Sequence, residues 1–334
     1  MRAQRVTTPA PIGTRPLVLV EVPEPEPGPG EVRVRVHACG CCRTDLHVVE
    51  GDLELPRLPV TPGHQAVGVV DARGPGCREL ELGERVGVAW LHRTCGECGY
   101  CRRGEENLCE RAEFTGWTVD GGYADAVVVP EAFAVRLPEA LDDLAAAPLL
   151  CAGVIGYRAL RRAEVQPGER VALVGFGASA HLAIQVLRYW GCEVVVLTRG
   201  ERHRALAREL GAVWVGHASE LPPGECDRAV VFAPAGELVP VALDVVRPGG
   251  TVSLAGIHMS DIPSFEYRRL WRERTLRSVA NMTRRDAQEF VELATEAGIR
   301  TSVEVFTLEQ ANDALAAIAG DAVGGAAVLQ VAGR

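Results

Sequence analysis

Four cysteines lie close together in the first third of the sequence. Cys95, Cys98, Cys101 and Cys109 follow the pattern C-x2-C-x2-C-x7-C in a stretch rich in Gly and Arg. Four thiolates at such short spacing can surround one zinc ion as a closed tetrahedron, which leaves no position for a substrate. An iron–sulfur cluster is the rival metal centre, but the chain has no second cluster motif to support it. The pattern therefore predicts a structural zinc site in a short lobe at about residues 92–112.

The composition is that of a globular protein, with 47% hydrophobic and 24% charged residues. The formal net charge is −9, all 35 basic residues are Arg, and no basic block is interleaved with aromatic residues, so we expect neither nucleic acid nor a membrane as a partner. The sequence lacks a leader-like start and an apolar run of about 18 residues, which predicts a cytoplasmic protein. In a reducing compartment the eleven cysteines would serve metal binding rather than disulfides.

The pattern of elements changes at about residue 152. Before it, strands such as EVRVRV and Gly/Pro-rich turns predict a strand-rich domain with long loops. After it, the apolar stretches RVALVGFG, EVVVLT, DRAVVFAP and TVSLAGI alternate with helical ones such as SAHLAIQVLRYWG and RHRALARELGA. This alternation predicts βαβ units in a parallel sheet. Two further helices and a last strand, AAVLQV, are expected to end the chain, with the strand returning to the first domain.

One strand of the second region leads into a glycine turn. RVALVGFGASA is expected to form a strand, a tight turn and a helix start, with Gly175, Gly177 and Ala180 in a G-x-G-x-x-A pattern. Glycines at the first two positions let the backbone approach a pyrophosphate, whose charge is stabilised at the helix N-terminus. The motif is weak alone, but its position between a strand and a helix predicts a dinucleotide site.

The strand that follows ends on Thr198 and Arg199. An NAD-selective site places Asp or Glu there to hold the ribose hydroxyls, whereas a hydroxyl and a guanidinium suit a 2′-phosphate. We therefore expect NADP to be preferred over NAD. The alternative is that Arg199 is a solvated charge and that the site accepts NAD.

Several segments together resemble the zinc-containing alcohol dehydrogenases of the medium-chain dehydrogenase/reductase family. They are ACGCCRTDLH, PGHQAVGVV, the four-cysteine lobe, GGYADAVVVP and APLLCAGVIGYRAL, and their order and spacing extend the resemblance over essentially the whole chain. The resemblance implies a GroES-like β-domain from residues 1–151 and 282–334. It implies a Rossmann doubly wound parallel sheet from residues 152–281.

The same resemblance assigns the metal ligands. Cys42, His64 and Cys151 match the protein ligands of a catalytic zinc. Together with the four-cysteine lobe, this set implies two Zn²⁺ ions per chain. Three ligands leave the fourth position for water or alcohol.

Residues near Cys42 match further roles in that family. The resemblance implies that Thr44 takes the alcohol proton and that His47 passes it on through the cofactor ribose to solvent. It implies that Asp45 orients the metal site and that Arg43 contacts a cofactor phosphate.

Other matches concern the substrate pocket and two departures from the family. Trp90, Leu91 and Trp117 stand where similar enzymes line the alcohol pocket, and bulky indoles near zinc would favour primary alcohols and aldehydes over branched polyols. Gln65 stands where many members carry Glu after the ligand His, and Ile155 stands where Thr is common. Neither departure removes a ligand.

The sequence thus predicts an enzyme that transfers hydride between a primary alcohol or aldehyde and NAD(P), as a homodimer or homotetramer. A first alternative is an NADPH reductase of the same fold that acts on an enal, an imine or a specialised carbonyl. A second is an NADPH-binding protein without turnover, since folds are reused without their chemistry.

Overall fold

The structure, a computed structural model, describes residues 1–332. Its internal contacts divide the chain into two units. Unit 1 comprises Met1–Cys151, Met282–Thr295 and Arg300–Arg334, and unit 2 comprises Ala152–Asn281 and Glu296–Ile299. The sequence predicts that all of 282–334 belongs to the first domain. The short piece Glu296–Ile299 differs because it packs on unit 2, where the Tyr189 hydroxyl donates to Glu296 Oε1 at 2.5 Å.

The strands are β1 (Arg2–Val6), β2 (Leu17–Glu21), β3 (Glu31–Cys41), β4 (Ala66–Arg73), β5 (Arg85–Val88), β6 (Leu91–Arg93), β7 (Glu113–Phe114), β8 (Ala126–Pro130), β9 (Ala134–Arg136), β10 (Arg170–Val174), β11 (Glu193–Leu197), β12 (Trp214–Gly216), β13 (Cys226–Val231), β14 (Val246–Leu254), β15 (Thr275–Ser278), β16 (Val303–Thr307) and β17 (Ala326–Gln330). The α-helices are α1 (Arg43–Glu50), α2 (Gly99–Arg102), α3 (Asp143–Ala146), α4 (Ala152–Arg162), α5 (Ala178–Tyr189), α6 (Glu201–Glu209), α7 (Leu238–Val245), α8 (Arg284–Glu296) and α9 (Ala311–Ala319). Short 3₁₀ helices include Ile12–Thr14 and Ala147–Leu150.

Unit 1 is built on a seven-stranded sheet. Six strands follow the order β16-β17-β3-β4-β5-β9, and the seventh, β8, pairs with the first half of β3, Glu31–Arg35. The long strand β3 has alternating valines, and Val32, Val34 and Val36 all point into the core. The last strand, β17, pairs antiparallel with the end of β3, where Leu329 lies opposite Cys39. The end of β3, which leads directly into Cys42 and α1, is therefore held between two neighbours, β17 and β4.

Unit 2 is a six-stranded, all-parallel sheet with the strand order β12-β11-β10-β13-β14-β15. Counted along the chain this is the order 3-2-1-4-5-6 of a doubly wound dinucleotide-binding sheet. Its central strands are apolar on both faces, as a parallel sheet covered by helices requires. The predicted fold class, a GroES-like β-domain with a Rossmann sheet, is confirmed.

Among residues 1–332, no single helix is long and apolar enough to cross a membrane. One bent pair, Asp143–Leu150 followed by Ala152–Arg162, reaches the required length and composition only when both helices are taken together.

Candidate active site and metal centres

Three side chains from distant parts of unit 1 converge on one point. Cys42 is the N-cap of α1, His64 lies in the loop before β4, and Cys151 follows the 3₁₀ turn Ala147–Leu150. His64 Nε2 lies 3.4 Å from Cys42 Sγ and 3.3 Å from Cys151 Sγ, and the two sulfurs are 3.9 Å apart. Tetrahedral zinc with ordinary bond lengths separates two sulfurs by about 3.8 Å and a sulfur from a nitrogen by about 3.6 Å. The donor set therefore fits a zinc ion.

A buried carboxylate orients two of these donors. Asp45 is 1% exposed, and its Oδ2 accepts the backbone N–H of Cys42 at 2.8 Å. Its Oδ1 lies 3.0 Å from His64 Nδ1 and accepts the N–H of Gly63 at 3.1 Å. A hydrogen bond from Nδ1–H to a carboxylate selects the tautomer that presents Nε2 as a metal ligand. Asp45 therefore sets both the position of Cys42 and the tautomer of His64.

The charges around His64 oppose each other. Burial lowers the pKa of its imidazole, but the nearby negative charges of Asp45 and Cys42 outweigh burial and raise the pKa to about 10. A hydrogen bond between the protonated Cys42 thiol and Cys151, together with burial, raises the pKa of Cys42 well above its usual value. Since metal ligands must be deprotonated, cation binding at this site releases protons.

The second metal cluster lies in the predicted lobe. The Sγ atom of Cys101 is 3.9 Å from that of Cys95 and 3.5 Å from that of Cys98, and the Sγ atoms of Cys95 and Cys109 are 3.6 Å apart. These separations fit four thiolates on one zinc ion. Backbone N–H groups of Glu97 and Cys98 lower the pKa of Cys95 to about 6, which favours its thiolate.

The lobe is tied to α8 by a charged pair. The Arg284 guanidinium donates to both carboxylate oxygens of the largely buried Glu106, at 3.1 Å from Nε to Oε1 and 2.7 Å from Nη2 to Oε2. The guanidinium carbon also stacks 4.4 Å from the centroid of the Phe133 ring. This contact joins the lobe to the rest of unit 1.

Helix α1 carries the predicted proton-transfer residues Thr44 and His47. The backbone N–H of Thr44 donates to Cys42 Sγ at 3.3 Å, so Thr44 lies beside one of the three candidate metal ligands. His47 follows one turn later on the same side of the helix. Arg43 is exposed at the start of the helix.

One residue of this region was missed from the sequence. His47 Nδ1 lies 2.8 Å from Asp52 Oδ2. Gly51 ends α1 at φ 83°, and this left-handed turn brings Asp52 back beside His47. The sequence Gly51-Asp52 just after the helix could have indicated a turn that returns a carboxylate to the last turn of α1.

Aromatic rings pack beside His64. The rings of Trp90 and Trp117 are nearly parallel, at 8° and 5.8 Å between centroids, and Phe114 stacks on Trp90 at 5.3 Å. The rings of Trp90 and His64 meet edge to face, with their centroids 4.9 Å apart. The structure thus brings the two predicted tryptophans together with Phe114, which sequence reasoning missed because β7 is only two residues long.

Three other positions were singled out in the sequence. Leu91 is a core residue of unit 1, packed among its buried aliphatic side chains. Gln65 is buried, and its Nε2 has no hydrogen-bond partner among residues 1–332. Ile155 is half-buried on α4.

In unit 2 the glycine turn lies between β10 and α5. Gly175 has φ +90°, and a Cβ there would lie 2.7 Å from the backbone nitrogen of Ala233, so the fold itself requires this glycine. At Gly177, the N-cap of α5, a Cβ would meet no atom within 4 Å. The protein's own packing therefore does not explain Gly177, and the open space at the helix N-terminus is compatible with the predicted pyrophosphate site. Ala180 is buried within α5.

The end of β11 is shaped by an arginine from α6. Thr198 is buried and Arg199 is exposed. Arg204, which sequence reasoning missed, donates from Nε to the Thr198 carbonyl at 3.2 Å and from Nη2 to the Arg199 carbonyl at 2.9 Å. A second guanidinium is thereby held close to the predicted cofactor-selecting residues.

Comparison with known proteins gives a consistent result. Residues 28–139 match the model of the alcohol dehydrogenase GroES-like domain, and residues 178–296 match that of the zinc-binding dehydrogenases. A Mycobacterium tuberculosis (strain CDC 1551 / Oshkosh) protein described as "Probable alcohol dehydrogenase AdhA" is 48% identical over 99% of this chain and 97% of its own length. An alcohol dehydrogenase of Geobacillus stearothermophilus is 37% identical over 88% of this chain and 90% of its own length.

Solved structures agree over the whole chain. A cobalt- and zinc-bound thermostable alcohol dehydrogenase from Pyrobaculum aerophilum is 28% identical with a TM-score of 0.89, and covers 99% of each chain. The relatives and the donor geometry point to one conclusion. This chain belongs to the zinc-type alcohol dehydrogenases of the medium-chain dehydrogenase/reductase family, and it is an alcohol dehydrogenase that acts on small-molecule alcohols or aldehydes with a nicotinamide cofactor.

Proposed function

We propose that this enzyme is zinc-dependent, binds two zinc ions per chain, and interconverts primary alcohols and aldehydes with NADP preferred over NAD. The observation that carries the proposal is the convergence of Cys42, His64 and Cys151, whose donor atoms all lie within 4.8 Å of one another. Three donors rather than four leave one coordination position for the reacting oxygen. The four-cysteine lobe supplies a full set of ligands and would hold the second, structural ion.

When bound, the catalytic zinc polarises the oxygen of the alcohol or carbonyl group, and the nicotinamide ring accepts or donates the hydride. The protein's part is to hold the donors and to move the proton. Thr44, next to Cys42 Sγ, is suited to take the hydroxyl proton of the substrate. Asp52 accepts a hydrogen bond from Nδ1–H of His47, which leaves Nε2 unprotonated. Nε2 can then take up the proton and pass it on.

The cofactor preference rests on the end of β11. Arg199 is exposed there and can reach a ligand, whereas Arg204 is bound to two backbone carbonyls and keeps this turn in shape. Neither Thr198 nor Arg199 can accept two hydrogen bonds from the ribose hydroxyls as a carboxylate does. The positive charge of the arginine suits the 2′-phosphate of NADP.

The substrate class rests on the three stacked rings. Trp90, Trp117 and Phe114 form an aromatic cluster in which Trp90 contacts His64. An aromatic wall of this kind favours apolar groups on the alcohol and offers polyol hydroxyls few hydrogen bonds.

We also propose a homodimer or homotetramer. β15 ends the six-stranded sheet, and the segment that leads into it exposes Tyr267 by 71% and Trp271 by 57%. An open strand edge beside exposed aromatic side chains fits pairing with a second copy of the chain. Light scattering of the purified protein tests this proposal, which a monomer would contradict.

Elemental analysis together with a substrate scan tests the central proposal. We expect two zinc ions per chain and reduction of simple aldehydes with NADPH that is faster than with NADH. If conjugated enals or imines were reduced far faster than any simple aldehyde, the enzyme would be a reductase of the same fold with alcohol oxidation as a side activity. One zinc ion per chain, with full activity, would contradict the structural ion in the four-cysteine lobe, and full activity of a Cys151→Ser variant would contradict the three-donor site.

A further inference from the structure

We propose that Gly87 is a positioning residue for Cys151. Its missing side chain leaves the space that Leu150 occupies, and Leu150 packed in that space sets the location of the next residue, Cys151. The inference rests on the proposed role of Cys151 as a ligand of the catalytic zinc.

Cys151 lies between two elements, the 3₁₀ turn Ala147–Leu150 before it and α4 after it. Its N–H donates a long hydrogen bond of 3.4 Å to the Pro148 carbonyl. All four residues of the turn are buried, and Leu150 is 0% exposed. The packing of this turn against the sheet therefore fixes the chain on the N-terminal side of Cys151.

The closest part of the sheet is Gly87 on β5. A Cβ built on Gly87 would lie 2.7 Å from both methyl carbons of Leu150 and 3.2 Å from its Cγ. Carbon atoms in contact prefer about 3.5 to 4.0 Å. Turning the Leu150 side chain about its Cβ–Cγ bond would exchange the methyl groups but leave Cγ too close. Since the surroundings are close-packed, an added methyl would move the Leu150 backbone.

Backbone geometry does not explain this glycine. The φ of Gly87 lies outside the left-handed region, and Gly87 pairs regularly with Val67 on one side and Val135 on the other. Glycine weakens a strand interior and commonly marks the close approach of another group. Leu150 is that group.

Strand β5 also anchors Asp143, at the start of the chain segment that runs through α3 and the 3₁₀ turn to Cys151. Arg85 on β5 donates from Nε to Asp143 Oδ1 at 2.5 Å, and His37 Nδ1 lies 2.9 Å from Asp143 Oδ2. These side chains are largely buried. Because Asp143 is anchored, the segment cannot slide as a whole, and a shift at Leu150 is passed on to Cys151. Cys42 and His64 are held separately by Asp45, so one donor of three would move.

The experiment follows the release of the two zinc ions to a chelating dye. Cys151→Ser and Cys95→Ser first show which phase of release belongs to which site. We expect Gly87→Ala to accelerate release from the catalytic site by about ten- to a hundred-fold, the range for residues that orient metal ligands, and to leave the lobe unchanged. In the double variant Gly87→Ala/Leu150→Ala, loss of the γ and δ carbons returns the space, and release should slow again toward the wild-type rate. Gly13→Ala, at an exposed glycine with open space around its Cβ, is the matched control.

The outcomes separate the two proposals. A Cys151→Ser variant that keeps both zinc ions contradicts the ligand assignment itself. If that variant loses one ion but Gly87→Ala releases zinc at the wild-type rate, the ligand stands and the positioning role is wrong. Equal acceleration of both sites, or no recovery in the double variant, shows general destabilisation and also overturns it. Should Gly87→Ala not fold, a soluble double variant with wild-type release supports the role, and a double variant that also fails to fold contradicts it.

Discussion

The two metal clusters of unit 1 are assembled in opposite ways. In the lobe, the hydrogen-bonded pair Cys95 and Cys109 is separated by 14 positions in the chain, whereas Cys42 and Cys151 are separated by 109. The lobe cysteines are held by their own turn and its backbone N–H groups. The three-donor cluster needs β3, the loop before β4 and the turn after α3 to be brought together by the sheet. A contiguous cluster thus depends on local spacing, and a scattered one depends on the fold.

Exchanging one cysteine in each cluster should give the largest contrast. Cys151→Ser is expected to lower kcat/KM by about a thousand-fold or more, because loss of a Lewis acid removes several kcal/mol of transition-state stabilisation. The fold should remain, since the sheet and not the ion holds this site. Cys95→Ser should instead lower the melting temperature and the zinc content.

Elemental analysis, circular dichroism and steady-state kinetics on both variants measure this contrast. If Cys151→Ser kept near-normal turnover, or if Cys95→Ser melted as the wild type does, the two clusters would not differ as described.

Thr44 tests whether the scattered site includes more than its metal donors. Thr44→Val keeps the backbone N–H that contacts Cys42, so zinc should stay bound. Loss of the hydroxyl should slow alcohol oxidation by about a hundred-fold, the scale of a positioned proton-transfer group. Thr44→Ser is the control and should be mild. Unchanged oxidation by the Val variant at neutral pH, with zinc content verified, would remove Thr44 from the relay.

The end of β11 is a contiguous motif like the lobe, and it tests whether such motifs act locally. Arg199→Ala should reduce the preference for NADP by about ten- to a hundred-fold, because a charge-assisted contact to phosphate contributes about 1.5 to 3 kcal/mol. Thr198→Asp should shift the preference further toward NAD, since its carboxylate accepts ribose hydroxyls and repels the phosphate.

The measurement is kcat/KM with both cofactors at one ionic strength, because phosphate contacts are salt-sensitive. A wild-type enzyme that prefers NAD by more than about ten-fold would make Arg199 a solvated surface charge.

Asp52 should give the smallest effect. Its side chain is 59% exposed, and exposed pairs contribute about 0.2 to 1 kcal/mol, so Asp52→Ala should lower kcat by about two- to five-fold. Asp52→Asn keeps an oxygen that can accept Nδ1–H and should recover part of the loss. ¹⁵N chemical shifts of His47 report the tautomer directly. No change of tautomer in the Ala variant would mean that Asp52 does not orient His47.

Local motifs are what the sequence by itself determined about this protein. The fold class followed from the change in strand and helix pattern, because periodicity is a property of consecutive residues. The cysteine lobe and the Gly175 and Gly177 turn could be proposed for the same reason. Cys42, His64 and Cys151 required the family resemblance, since nothing in their spacing links them.

Only the tertiary structure decided which distant residues meet. Asp45 holds both Cys42 and His64, Phe114 completes the ring stack, and Arg204 supports the end of β11. Gly87 has no feature in the sequence that connects it to Leu150, and Leu91 proved to be a core residue. The physical reason is that these contacts join residues on different elements, and their register is set by close packing of the whole sheet rather than by any local preference.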